Sequence, residues 1–384
     1  MRILFSSTWG YGHVFPQVPL ARALVAAGHT VLWATNEQAC ALVAAAGLSV
    51  VPAGLGRQGV AQVEHRLRAT TVGLRPKDRA AFAFPNMFGE WTTPAMVTDL
   101  LPLARRWRPD LMVHEQAELA SPLVGAALGV PSITHAFGAA VPTAFLTEAG
   151  ERVAWLWAEQ GLQTPDFAGS FTSAYVDICP PSVQSGSLDH VGVRQPMRPV
   201  IYSGESPGAL PTILQVDDPR RVVYVTLGTV QNHVPVLAAA VRALADLGTR
   251  ILVTVVADAD PAALGRQPDH VSVERWVSQS EVLPRCDVVV SHAGSGTFLG
   301  ALSLGLPQLC LPQAADQFRN AAAVVSRGAG LALHPDEAAP TAINEAVSRL
   351  LSEGSFREAA LCVAEEIDAM PAPADVVQVL EHLC

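Results

Sequence analysis

Short apolar runs alternate with longer stretches of helical periodicity along most of the chain, the pattern of parallel sheets covered by helices on both faces. In the first half the runs that predict strands are residues 3–7, 30–34, 48–52, 111–115, 132–135 and 176–179. In the second half they are 222–227, 251–256, 271–275, 288–291, 308–311 and 330–333. Between the two series, residues 193–220 lose this periodicity and gather Pro196, Pro199, Gly204, Pro207, Gly208 and Pro211, as a linker does. The predicted architecture is α/β, with two doubly wound Rossmann-like domains in series: 1–200, a linker over 201–220, and 221–370. Residues 54–91 are less regular, combining Arg66, Arg68, Arg75 and Arg79 with Phe82, Phe84, Met87, Phe88 and Trp91. They fit either an amphipathic helix with a long connection or a mobile loop and helix over a pocket.

Composition supports two cores and narrows the chemistry. A length of 384 residues exceeds what one core usually organises. With 50% hydrophobic and 16% charged residues, the balance is globular rather than disordered. A net charge of −10 disfavours a nonspecific grip on nucleic acid or an anionic membrane, so any phosphate has to be held locally. Lys77 is the single lysine and lies in a polar stretch, which excludes a Walker loop and a Schiff-base lysine. The six cysteines form no CxxC pair and read as reduced, buried thiols. No apolar run reaches the ~18 residues of a membrane span, and no signal peptide is evident at Met1. A cytoplasmic protein without stable membrane insertion is expected.

Candidate chemistry collects where predicted strands end. The first strand runs into Thr8-Trp9-Gly10-Tyr11-Gly12-His13, then a helix over 17–27 closed by Gly28. Ligands of open α/β sheets bind beyond the carboxyl ends of strands, and a histidine there can take a hydroxyl's proton. The bland reading of His13 is a loop histidine that caps a helix or meets solvent. A base histidine needs its second nitrogen held, and Asp110, Glu115 and Glu118 are the nearby acids. Glu115 is favoured because it ends a strand on the same rim. Asp110 begins that strand, Glu118 suits the first turn of the next helix, and His114 reads as a core or rim histidine.

The second half carries a strand, a turn of small residues and a helix start: Ser291-His292-Ala293-Gly294-Ser295-Gly296-Thr297. Unpaired N–H groups and the positive end of a helix make such a turn an anion site, with His292 a further donor. The alternative is a helix capped by Ser295 with no ligand. Asp258-Ala259-Asp260 reads as a solvated loop, and no metal or other cofactor is expected.

The whole chain resembles the family 1 glycosyltransferases of the GT-B fold, particularly bacterial enzymes that decorate natural products. The resemblance rests on Gly12-His13-Val14-x-Pro16 and Gly28-His29-x-Val31 in the first half. In the second it rests on Trp276-Val277-Ser278-Gln279, His292-Ala293-Gly294-x-Gly296-Thr297, Gly305-x-Pro307, Asp316-Gln317 and Asn320-Ala321. It implies two domains facing across a cleft, an N-terminal acceptor domain and a C-terminal nucleotide-sugar domain, with a last helix over 374–384 returning to the first domain through Val376, Val377, Val379, Leu380 and Leu383. It implies that His13 is the base and that an acid near Glu115 supports it. Trp276 would stack on the nucleobase while Val277 reads its edge, and Thr229, His292, Gly294, Ser295, Gly296 and Thr297 would hold the diphosphate. Asp316 and Gln317 would bind the sugar. Phe84, Met87, Phe88, Trp91 and Phe137 are candidate acceptor contacts. Two departures stand out: Ser278 replaces the family's usual proline, and the supporting acid is commonly aspartate.

The function implied is metal-independent, inverting transfer of a (deoxy)sugar from a TDP- or UDP-sugar to a small apolar aglycone, polyketide or aromatic. The rival readings are a non-catalytic GT-B helper protein and a nucleotide-sugar epimerase of the same fold. Monomer and homodimer both stay open.

Overall fold

A computed structural model describes residues 1–204, 210–228, 234–255 and 264–383. The chain divides into two compact units. Unit 1 comprises Met1–Cys179, Gly186–Arg198 and Met370–Cys384; unit 2 comprises Pro180–Ser185 and Pro199–Ala369.

Unit 1 is built on seven parallel strands: β1 (Arg2–Ser7), β2 (Thr30–Thr35), β3 (Ser49–Pro52), β4 (Leu111–Glu115), β5 (Ser132–His135), β6 (Ala174–Asp177) and β7 (Arg194–Pro196). Their order is β3-β2-β1-β4-β5-β6-β7, so the winding reverses between β1 and β4. Ile3, Leu4, Phe5, Leu111, Met112, Val113 and Ile133 are fully buried, as strands covered on both faces require. Unit 2 has six parallel strands: β8 (Val222–Thr226), β9 (Arg250–Thr254), β10 (Val271–Glu274), β11 (Val288–Ser291), β12 (Gln308–Cys310) and β13 (Gly330–Ala332). Their order is β10-β9-β8-β11-β12-β13, with the reversal between β8 and β11. Alternate residues feed two cores: Val223, Val225, Ile251, Val253, Val288 and Val290 face one, and Val222, Tyr224, Leu252 and Val289 the other. At such reversals two neighbouring loops diverge and leave a crevice beyond the strand ends.

Several expectations need correction. The strand expected over 176–179 is Ala174–Asp177. It stops there because the Asp177 carboxylate accepts from the Cys179 N–H, a local turn, and Pro180 and Pro181 follow. Within residues 193–220, where periodicity lapses, the structure contains β7, an edge strand where Pro196 costs no ladder bond. Further along that segment, Ile213 is buried against Val222 and Tyr224 in unit 2. Residues 54–91 form the helix Arg57–Thr71 and then helical turns that run from Arg79 into Thr93–Trp107. The middle, Phe84–Thr92, is π-helical, a wide form frequent at functional sites. Pro85 offers no N–H, the Asn86 side chain donates to the Phe82 carbonyl, and the Thr92 and Thr93 hydroxyls both reach Phe88 O.

Within unit 1 the last helix, Pro373–Glu381, packs on Val18–Ala26 with Val376, Val377 and Leu380 buried. Val379, expected among them, is 38% exposed and faces away. Glu381 meets His29 at 2.9 Å. Of the described cysteines all are free; Cys362 is exposed and Cys40 half-buried, against the expectation of burial throughout. No helix among the described residues is long and apolar enough to cross a membrane.

Candidate functional site

At the reversal in unit 1, β1 ends in the loop that carries His13 and β4 ends in Glu115. Gly10 adopts φ +101°, which turns the chain into the short helix Tyr11–Val14. His13 Nδ1 donates to Glu115 Oε1 at 3.1 Å. The same oxygen accepts from Thr8 N at 3.1 Å and Thr8 Oγ1 at 2.8 Å, while Oε2 accepts from Ala117 N. Glu115 is fully buried, and burial alone raises a carboxyl's pKa. The His13 imidazole and the donors Ala117 and Thr8 outweigh it, holding Glu115 below the usual carboxylate range. An imidazole that donates from Nδ1 to a carboxylate keeps its lone pair on Nε2, the nitrogen able to take a proton.

The neighbouring acids and histidines have other tasks. Asp110 lies just before β4 and accepts from Arg2 N at the opposite rim. Glu118 accepts from Ala120 N, Ser121 N and the Ser6 hydroxyl, which fixes the next helix's first turn. His114 is a core histidine, its ring between Glu115 O and Thr134 Oγ1. Burial pushes His135 down to about 4, so it is neutral.

Aromatic rings surround His13. The rings of Phe88 and Phe137 lie 5.4 and 5.1 Å from its own, and Phe84 contacts Phe88 and Phe145. Met87 is half-buried in the same helical stretch. Trp91 turns to the helix Arg57–Thr71, where the Arg66 guanidinium lies 4.2 Å from its ring centroid. It does not join this cluster.

At the reversal in unit 2, β11 ends at Ser291, just before His292, and β8 ends before Gly228. The helix Ser295–Leu302 follows, capped by Gly294 and not by Ser295, whose hydroxyl donates to Asp316 Oδ2 at 2.6 Å. The first-turn N–H groups of Ser295, Gly296 and Thr297 have no acceptor within the helix and form the anion-seeking end. His292 is shaped by its neighbours: a β-carbon at Gly228 would stand 2.6 Å from its Cε1, and one at Gly294 only 2.5 Å from its Nε2. At Gly228, with φ +82°, glycine is also favoured by the backbone, whereas at Gly294 a larger residue would push the His292 ring aside. Gly228 was not among the expected residues, although it sits where β8 ends; Thr229 lies outside the described residues, as do Asp258 and Asp260.

Trp276 is half-buried beyond β10, and Val277 is buried. Ser278 bonds Ser203 and Ser280 through its hydroxyl, so hydrogen bonds hold the loop where a proline ring is usual. Gln279 Nε2 donates to Thr297 Oγ1 at 3.0 Å, tying this loop to the helix start. Asp316 also accepts from Asn320, which itself donates to Ala293 O. Gln317 Oε1 accepts from the Gln313 and Ala314 N–H groups. Asn320 was quoted only as part of a motif; its role is to bind Asp316 to the 293–295 turn. Among the described residues, no three His, Cys, Asp or Glu side chains form a metal-binding group.

Comparison with known proteins gives a consistent result. The models for erythromycin biosynthesis protein CIII-like N-terminal and C-terminal domains match residues 22–228 and 238–383. The chain is 34% identical over 385 residues to L-demethylnoviosyl transferase of Streptomyces niveus, covering 98% of this chain and 97% of that one. It superposes on the glycosyltransferase SnogD from Streptomyces nogalater with a TM-score of 0.81 and 31% identity, covering 100% and 99% of the two chains. The spinosyn rhamnosyltransferase SpnG, solved with thymidine diphosphate, gives a TM-score of 0.81 at 28% identity, over 99% of this chain and 100% of that one. SpnG has also been solved with the spinosyn aglycone.

Proposed function

The chain belongs to the EryCIII-like family of bacterial natural-product glycosyltransferases with the GT-B fold, and from that premise we propose that it transfers a deoxysugar from a TDP-sugar, with inversion and without metal. The acceptor is a hydroxyl of a small, apolar, polyketide-type aglycone. The observation that carries this reading is His13 Nδ1 on the buried Glu115 carboxylate, a hydrogen bond that leaves Nε2 basic beside aromatic rings. His13 Nε2 takes the acceptor's proton as its oxygen attacks the anomeric carbon. The bond from that carbon to the diphosphate breaks, and its electron pair leaves on the phosphate oxygen. His292 and the N–H groups of 295–297 stabilise that oxygen's charge. A single displacement inverts the anomeric centre.

The nucleotide assignment draws on relatives solved with thymidine diphosphate. Metal independence draws on the anion-binding helix end of 294–297, which supplies donors where an ion is otherwise needed. The test is incubation with TDP- and UDP-sugars and a panel of polyketide aglycones, with and without EDTA, read by mass spectrometry. NMR of the product's anomeric proton reports configuration. Transfer from the TDP-sugar, indifferent to EDTA and inverted, is expected. Retention of configuration, or activity abolished by EDTA, would overturn the mechanism.

A further inference from the structure

The turn after β4 sends two successive side chains in different directions. Glu115 reaches toward the loop after β1 and holds His13, while Gln116 reaches toward β6 and the segment after β5. Gln116 is buried, with 1% exposure, and its Oε1 accepts from Val141 N and from the Tyr175 hydroxyl, each at 3.1 Å. Two donors on one atom identify it as the oxygen and fix the orientation of the amide. Nε2 then donates to Ala139 O in a long hydrogen bond of 3.5 Å. Ala139, Ala140 and Val141 are all buried, in a segment between β5 and the helix Thr143–Glu159 that belongs to no helix or strand. A buried irregular segment has no ladder to satisfy its N–H and C=O groups, so other partners must. Gln116 serves both ends of the 139–141 stretch.

What that stretch carries gives the clamp a task. Just before it, Phe137 is half-buried with its ring 5.1 Å from that of His13. Just after it, the helix Thr143–Glu159 brings the Phe145 ring to 6.2 Å from that of Phe84. The 139–141 stretch therefore joins two rings of the aromatic cluster around His13, and Gln116 is the side chain that ties it to the end of β4.

We propose that Gln116 is a positioning residue for the acceptor: by clamping residues 139–141 it fixes Phe137 beside His13, and so sets where the acceptor hydroxyl stands relative to Nε2. The inference rests on the acceptor reading given above and extends it to a residue outside the aromatic cluster. Gln116 touches no reacting atom and acts through Phe137. Because Glu115 orients the base, consecutive residues of one turn govern both partners of the proton transfer. Such a transfer is demanding in distance, since a displacement of about 1 Å can cost about 10²-fold in rate.

The test uses Gln116→Met in the full chain, which keeps the side chain's length and removes its donor and acceptor; melting curves compare its folding with wild type. With a polyketide aglycone that wild type accepts, the acceptor KM should rise about 10-fold and kcat fall by about the same factor, while the KM for the TDP-sugar stays within about two-fold. Phe137→Ala separates positioning from a merely structural role. If Gln116 acts through Phe137, the two effects overlap, and Gln116→Met adds little to the acceptor KM in the Phe137→Ala background. An unchanged acceptor KM, an equal rise in both KM values, or additive effects of the two substitutions would overturn the assignment. Should Gln116→Met not fold, the same cycle with Tyr175→Phe, which removes one hydrogen bond from the Gln116 oxygen, decides it. An acceptor KM raised about 3-fold, and not raised further when Phe137 is already alanine, upholds the role; an unchanged KM or an additive rise overturns it. If wild type transfers sugar to no aglycone of the panel, the enzyme reading fails by itself. Calorimetric titration of the same aglycones alone then decides the positioning role. Affinity lowered in Gln116→Met, and not lowered further in the Phe137→Ala background, upholds it; affinity equal to wild type, or no binding by wild type, overturns it.

Discussion

The two units place a histidine at the same topological position, beyond a strand at the point where the sheet's winding reverses, and surround it differently. His13 is held by charge and hydrogen bonding. Its partner is a fully buried carboxylate with three further hydrogen bonds from Thr8 and Ala117. His292 is packed closely by glycines at 228 and 294, where a β-carbon would stand 2.6 and 2.5 Å from its ring. The difference follows from the tasks proposed. A base must present one nitrogen with its lone pair, so its tautomer must be fixed. A phosphate ligand must come close to a backbone turn, so its surroundings must be thin.

Substitutions can break each arrangement separately. The largest effect is expected at His13, where His13→Ala removes the base and lowers turnover by about 10² to 10⁴. Next is Gly294→Ala, at φ −64° and so without backbone strain. Its methyl displaces the His292 ring, and the loss of one hydrogen bond to a charged phosphate weakens nucleotide binding by about 1.5 to 3 kcal/mol. Calorimetry with thymidine diphosphate measures this, and an unchanged affinity would remove His292 from the anion site.

Acid sharpens the contrast more gently, through stability. His135 is fully buried and its folded pKa falls from the ordinary 6.5 to about 4. Between those values the unfolded chain binds a proton that the folded chain refuses, so stability is full above about 6.5 and falls as pH drops toward 4. The integrated loss is on the order of 3 kcal/mol. Glu115 adds the complementary case: its lowered pKa contributes stability above the ordinary carboxyl range, lost as pH falls through the folded value. Urea unfolding of wild type and His135→Asn at pH 7 and pH 4.5 isolates the histidine. The variant should lose less stability on acidification, and parallel losses would contradict the assignment.

Much of this was legible because strands and helices announce themselves by period. The run at 3–7 followed by Gly10 and Gly12 placed His13 on a rim, and 111–115 placed Glu115 on the same rim. Parallel neighbours β1 and β4 then bring the two within hydrogen-bonding reach, although 102 residues separate them. β7 was hidden because Arg-Gln-Pro has no alternation and looks like linker. The π-helical stretch was hidden because its aromatic residues fit a loop as well as a wide helix. Gly228 and Asn320 were missed for another reason: each acts through a contact that only the folded chain defines. Gly228 matters because His292 lies against it.

The central claim is that His13 serves the chemical step while the nucleotide is held by unit 2. Single-turnover transfer by wild type and His13→Ala at saturating TDP-sugar, with thymidine diphosphate affinity measured on the same preparations, tests it directly. The account predicts a rate lowered by about 10² to 10⁴ with nucleotide affinity within a few-fold of wild type. Equal single-turnover rates, or a rate loss matched by an equal loss of nucleotide affinity, would contradict it.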